Sequence, residues 1–174
     1  MFVPLIQAGS PDPPVGPDEA SFIEGDIYPR VSKSGGRHPV EAGAEAGEWR
    51  LHPEVVELLW KNFGRAEVDL FASKETSHCP LWFSLSHPAP LGLDAMVQAW
   101  LRSRLYAFPP IALLPGVRER VRRDGVSLLL VAPFWPARVW FADLVSLLDG
   151  SPLEIPIRRD LLSQASGLIL HPRP

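Results

Sequence analysis

Val68-Asp69-Leu70-Phe71-Ala72-Ser73 is the stretch on which the fold turns. An apolar run that ends in an acidic residue and then small residues has the form of a strand delivering a carboxylate to a loop. Leu105-Tyr106-Ala107-Phe108-Pro109-Pro110 and Leu128-Leu129-Leu130-Val131-Ala132-Pro133 repeat the form, each ending a short apolar run in proline. The last of these is apolar almost throughout, as a strand buried on both faces of a parallel sheet must be. Three strands whose carboxyl ends point into one region, separated by helical patterns, predict a small α/β layer fold. In open α/β sheets that edge is where ligands bind.

Working outward, Glu54–Phe63 has helical character, with Val55, Leu58, Leu59 and Asn62 on one face. Pro53 suits the first turn and Gly64 the stop. Glu67–Phe71 is the first strand. A polar, proline-containing connection runs from Ala72 to Pro90, and connections of that length in compact domains are usually functional or cover something. Further helices are expected at Gly92–Arg102, 112–124 and Trp135–Leu148, with strands at Arg104–Phe108 and Val126–Ala132. The C-terminal region predicts a short strand near Glu154–Pro156 and a short helix near Arg159–Gln164.

Residues 8–47 are rich in Gly, Pro, Ser, Glu and Asp and show no sustained period, so too little apolar surface is available to offset the entropy of ordering. The chain therefore divides into an irregular segment 1–46, an α/β domain 47–165 and a tail 166–174. With 174 residues, 46% of them hydrophobic, the length suits one ordinary domain with a real core. The net charge is -3, but it is unevenly spread. Residues 1–46 hold seven acids against three bases, and 47–174 hold thirteen against fourteen. A near-neutral domain argues against a strongly basic nucleic-acid binder. The single cysteine, Cys79, excludes an internal disulfide and a multi-cysteine zinc site. No run of eighteen apolar residues suggests a transmembrane helix, and Met1–Gln7 makes a poor secretory signal. The expectation is an intracellular protein with no membrane partner.

Asp69 is the leading ligand-binding candidate, since a carboxylate at a strand end can accept hydrogen bonds from a ribose or an amino group. A loop or capping hydrogen bond explains it equally well. Pro109-Pro110 could turn backbone carbonyls toward a planar amine, although such a pair more often just ends a strand. Trp135 and Trp140 could stack a base, with Trp140 the better core candidate. Arg118, Arg120, Arg122 and Arg123 could touch phosphates, yet a charge run on a helix is usually a solvated face. His78 and Cys79 are neighbours whose side chains diverge on an extended chain, which argues against a shared metal. No dinucleotide, phosphate-loop or hydrolase motif occurs.

Taken in order, Gly47-Glu48-Trp49-Arg50-Leu51-His52-Pro53-Glu54-Val55, Val68–Ser73, Leu93-Asp94-Ala95 with Trp100, Tyr106–Pro110, and Val131–Pro136 with Trp140 resemble one polyprotein segment. It is the region following reverse transcriptase and ribonuclease H in DIRS-type retrotransposons, and the resemblance covers about residues 47–174. That segment is similar to phage-type DNA adenine methyltransferases. The resemblance implies a Rossmann-like, methyltransferase-like fold, with Asp69 and Phe71 on the cofactor side and Phe108-Pro109-Pro110-Ile111 on the target-amine side. S-adenosylmethionine is the cofactor implied if the ancestral pocket survives, and none otherwise.

This sequence departs from the pattern where chemistry needs it. In the methyltransferase motif an amide or acidic residue precedes the two prolines and accepts hydrogen bonds from the flipped base's amine, and an aromatic follows them. Phe108 and Ile111 occupy those places, and a phenyl ring accepts no such bond. Losing one charge-placing contact lowers a rate by about two to three orders of magnitude. At the front, Gly35–Ala42 stands where the retroelements carry the end of ribonuclease H, so residues 1–46 are read as a shifted frame or a gene-model artefact. The leading expectation is a non-catalytic domain with a binding or scaffolding role beside other polyprotein parts. The alternatives are an active adenine methyltransferase and a nucleic-acid-binding module that uses Trp135, Arg118 and Arg122.

Overall fold

A computed structural model describes the protein at residues 2–3, 5–6, 48–164 and 167–171. Its strands are β1 (Phe2–Val3), β2 (Leu5–Ile6), β3 (Arg50–Leu51), β4 (Val68–Asp69), β5 (Leu81–Trp82), β6 (Leu105–Ala107), β7 (Leu128–Leu130), β8 (Leu153–Glu154), β9 (Leu162–Gln164) and β10 (Ile169–Leu170). The helices are α1 (Pro53–Phe63), α2 (Leu114–Asp124, entered through a 3-10 turn at Ile111–Leu113) and α3 (Val139–Val145).

The central sheet has the order β2-β7-β6-β4-β5. Its last four strands are parallel, and β2 joins β7 antiparallel. Side chains alternate across it as the pleat requires. Val68, Leu70, Leu105, Ala107, Leu128 and Leu130 enter one core with Leu114, Val117, Val121, Phe141 and Leu144 of α2 and α3. Tyr106, Leu129 and Val131 enter a second core with Val55, Val56, Leu59 and Trp60 of α1. Helices thus cover both faces, which is why these strands read as continuous apolar runs. Two smaller antiparallel sheets complete the fold, β1 with β8 and β3-β9-β10. β10 lies within the segment the sequence sets aside as a tail. The expected irregular segment at 8–46 lies outside the described residues, whereas β1 and β2 are strands within 1–46 that the sequence reading does not include.

α1 forms where its ends are signalled. His52 caps it, with Nδ1 accepting from the Glu54 amide at 3.2 Å, and Pro53 occupies the first turn. Gly64 stops it at φ 84°, where its amide still reaches the Trp60 carbonyl at 2.9 Å. The buried face is Val55, Val56, Leu59 and Trp60 rather than the expected Val55, Leu58, Leu59 and Asn62, for Leu58 is 38% exposed and Asn62 faces solvent. The bulk of Trp60 against Tyr106, ring centroids 5.5 Å apart, turns the helix toward that side.

Three expected elements are corrected. The helix at Gly92–Arg102 is absent, and the segment runs as successive turns. Asp94 sits at φ 51° with its carboxylate on the Met96 amide. The carbonyls of Ala95, Met96 and Gln98 are taken by Trp100 Nε1 and the Arg120 guanidinium, so they are lost to a helical ladder. The helix expected at Trp135–Leu148 is only Val139–Val145, because Trp135-Pro136 spends its first residues in a turn closed by the Arg138 amide on the Trp135 carbonyl. The helix expected near Arg159–Gln164 is instead strand β9, which pairs Leu162 with Leu51 and Ser163 with Arg50. The Ala72–Pro90 connection also contains an unexpected strand, β5, hydrogen-bonded to β4.

Candidate functional site

The chain enters the parallel sheet at β4, moves to β5 on one side, and then crosses back to place β6 and β7 on the other. The order of strands therefore reverses between β4 and β6, and the crevice beyond their carboxyl ends is the place where such sheets bind ligands. Phe71 follows β4 there, and Phe108-Pro109-Pro110 follows β6. Hydrogen bonds continue past the strand ends, from the Leu70 amide to the Tyr106 carbonyl at 3.0 Å and from the Val131 amide to the Ala107 carbonyl at 2.8 Å. The first holds the Phe71 and Phe108 segments side by side, and the second ties the end of β6 to the end of β7. Asp69, Pro109 and Pro133 stand at the same sheet edge, as the strand-end pattern predicts.

Between these segments lies a cavity of about 40 Å³ lined by Phe71, Phe108, Pro109 and Pro110. Its remaining walls come from Glu48 and Trp49, ahead of β3, and from Thr76 and Leu85 of the loops around β5. Pockets that enclose drug-sized ligands are roughly 300–1,000 Å³, so a nucleoside is far too large for this hollow. Glu48 and Trp49 belong to the Gly47–Val55 block, but nothing in their spacing marks them as lining residues. They reach the edge because β3 is fastened to β9.

Asp69 does not open onto the hollow. It is 2% exposed, on the sheet face shared with Tyr106 and α1. Its Oδ1 accepts from the Phe71 amide at 3.2 Å, and the His78 amide adds a second bond. Burial raises its pKa to about 7, against the lowering pull of those two amides, and the nearby Glu48 charge adds a smaller push. A carboxylate held by its own loop in this way performs the structural task that the sequence left as its alternative.

Around Asp69 lies a buried polar group that sequence reasoning did not assemble. The Tyr106 side chain is 1% exposed, and its Oη has no hydrogen-bond partner among the described residues. Burial drives its pKa well up, reinforced by Asp69 and Cys79. His78 meets Tyr106 edge-on at 6.3 Å between ring centroids. Burial lowers the His78 pKa to about 4, with Arg50 pushing the same way and a hydrogen bond to the Leu51 backbone opposing. The Cys79 thiol is pushed far up by the same burial and is therefore an inert thiol rather than a nucleophile. Among the described residues no cluster of three or more His, Cys, Asp or Glu side chains could hold a metal ion.

The nucleic-acid candidates are engaged within the protein. Arg118 pairs with Asp143, and Arg122 reaches Ser146 Oγ at 3.3 Å. Arg120 is buried against Asp124 and two carbonyls, with its guanidinium 5.0 Å from the Trp100 ring. Arg123 is paired with Asp124. Half-buried Trp135 carries the Arg138 guanidinium 5.5 Å over its ring and lies 6.4 Å from Trp140. Ile111, at the far end of the Phe108–Ile111 stretch, is 39% exposed and opens the 3-10 turn. No helix among the described residues is long and apolar enough to cross a membrane. The chain matches no family model, no curated protein and no solved structure.

Proposed function

We propose that this chain is a non-catalytic, methyltransferase-like α/β domain from a DIRS-type retrotransposon polyprotein, retaining a binding or scaffolding role. Its origin is supported by the order and spacing of five sequence blocks, and its Rossmann-like character by the reversal of strand order between β4 and β6.

One observation supports a non-catalytic role: the crevice beside Phe108-Pro109-Pro110 holds a cavity of only about 40 Å³. Methyl transfer to a base needs room for a flipped nucleotide, and an acceptor that orients its amine. Phe108 supplies neither. Its ring is half-buried and packed against the core beneath α1, and Asp69 has its carboxylate committed to the Phe71 and His78 amides. The engagement of Arg118, Arg120 and Arg123 in ion pairs weighs against a nucleic-acid module, which relies on cations available to phosphates.

Two measurements on the full chain test this function. Isothermal titration with S-adenosylmethionine is expected to give no saturable heat. A radiolabelled methyl-transfer assay on single- and double-stranded DNA is expected to give no incorporation, with at most weak incorporation by the double variant Phe108→Asn, Ile111→Tyr. Clear transfer by the natural sequence that vanishes in Asp69→Asn would overturn the non-catalytic reading in favour of an adenine methyltransferase.

A further inference from the structure

The edge strand of the central sheet comes from a part of the chain remote in sequence from its neighbours. β2 pairs antiparallel with β7, Leu5 opposite Leu129 and Ile6 opposite Leu128. β1 pairs antiparallel with β8, Phe2 opposite Glu154 and Val3 opposite Leu153. One short stretch, residues 2–6, therefore bridges two strands of the domain. We infer that the channel between β7 and β8 is a strand-acceptor site that takes this stretch from a second copy of the chain as well as from its own. The inference names a partner for the scaffolding role proposed above and rests on that role.

The acceptor has anchorage of its own. Leu128, Leu129 and Leu130 are buried, the first and last among α2 and α3 and the middle one on the side of α1. Leu153 of β8 and Ile155 just after it pack with the same core as Leu129 and Val131, so both walls of the channel are fixed to the domain. β7 is also the last of the four parallel strands. The outer row of amides and carbonyls on such a strand is a template for an extended chain laid beside it. Phe2, Val3 and Ile6 are residues favoured in strands, which suits this stretch to the task.

The length of chain between donor and acceptor allows exchange. Residues 7–47, forty-one in number, connect Ile6 to the domain. A chain of that length reaches at most about 140 Å, several times the roughly 35 Å width of a domain of about 120 residues. It therefore spans to a neighbouring copy without disturbing either fold. The same ladder and register form whichever chain supplies the strand, so exchange loses no contact, and swapping an identical element is a low-cost route to a dimer. Each copy gives one strand and receives one, which closes the pair. Tethering holds the strand at an effective concentration on the order of millimolar, so a second copy at about that concentration competes on equal terms.

The test traps the exchange between two differently tagged full chains. One carries Phe2→Cys and the other Glu154→Cys, which replaces an exposed residue, and the native Cys79 is buried in both. Phe2 and Glu154 are directly opposed, and such pairs bring Cβ atoms to about 4.5–5.5 Å, near the separation a disulfide requires. The chains are mixed, oxidised with glutathione disulfide, and the cross-chain product is measured by mass spectrometry. At about 1 mM the pair is expected to give at least about tenfold more cross-chain disulfide than a control mixture of Phe2→Cys with Glu57→Cys. Adding Leu5→Pro and Ile6→Pro to the donor chain is expected to abolish the excess, since proline supplies no amide to a ladder. A single chain carrying both Phe2→Cys and Glu154→Cys is expected to close on itself at about 1 µM, far below the effective concentration of the tether. A yield no better than the control, indifference to the prolines, or failure of the single chain to close overturns the inference. The methyl-transfer assay keeps the two failures apart. No cross-chain excess together with no transfer removes the strand exchange alone, whereas methyl transfer removes the non-catalytic function whatever the disulfides do.

Discussion

Replacing Asp69 by Asn should make the protein more stable at pH 8 and leave it little changed at pH 4.5. Burial raises the carboxyl pKa from 3.8 to about 7, so between those values the folded state holds a proton that the unfolded chain has released. A group whose folded pKa is raised contributes stability that is present below the unfolded pKa and lost as pH rises through the folded one. The shift is about three pH units at about 1.4 kcal/mol each, which amounts to roughly 4 kcal/mol lost by the natural protein above pH 7. Asparagine keeps the Oδ1 acceptor for the Phe71 amide and carries no charge at any pH. If its amide nitrogen finds no acceptor, the penalty of about 1–3 kcal/mol is the same at every pH, so the change in the difference with pH is the diagnostic quantity.

His78 supplies the complementary signature. Its pKa falls from 6.5 to about 4, so the unfolded chain binds the extra proton and stability should rise with pH across that window. In the natural protein the two slopes oppose each other between about pH 4 and 6.5, and stability should be nearly flat there. Asp69→Asn should unmask the histidine, giving a rise of about 1.4 kcal/mol per pH unit. Urea denaturation of both proteins at pH 4.5, 6 and 8 measures this. A gap between the natural protein and the variant that is the same at pH 4.5 and pH 8 would refute the argument, since Asp69 would then titrate alike in the folded and unfolded chains.

Arg120→Met keeps the stem that packs beside Trp100 but strands the Met96 and Gln98 carbonyls and breaks the pair with Asp124. A loss of about 3 kcal/mol is expected in urea denaturation, with faster amide exchange confined at first to residues 94–100. Gly64→Ala places a methyl group at φ 84° and 2.6 Å from Arg104 Nη1. The flexible guanidinium can move aside, so the backbone strain remains, and the thermal midpoint should fall by the equivalent of about 1–2 kcal/mol.

Much of the fold was legible in residue order because local physics specifies it. Leu128–Val131 is apolar at every position, which only burial on both faces of a sheet accommodates. Pro53 and Gly64 bound α1 by the restricted φ of one and the free φ of the other. The proline pairs and runs after β6 and β7 marked the sheet edge, and with it the place where Phe71 and Phe108–Pro110 meet. Tertiary structure decided the remainder. Gly92–Arg102 has helical spacing, but the buried guanidinium of Arg120, some twenty residues away, claims the carbonyls that a helix there would need. Leu162-Ser163 becomes part of a strand because Arg50-Leu51, more than a hundred residues earlier, offers a ladder. That pairing also carries Glu48 and Trp49 to the cavity. The direction of Asp69, inward toward Tyr106 and His78 rather than outward to a ligand, depends on desolvation by α1 and on the amides of a folded loop. Neither exists until distant segments have packed, so sequence spacing alone carries no record of them.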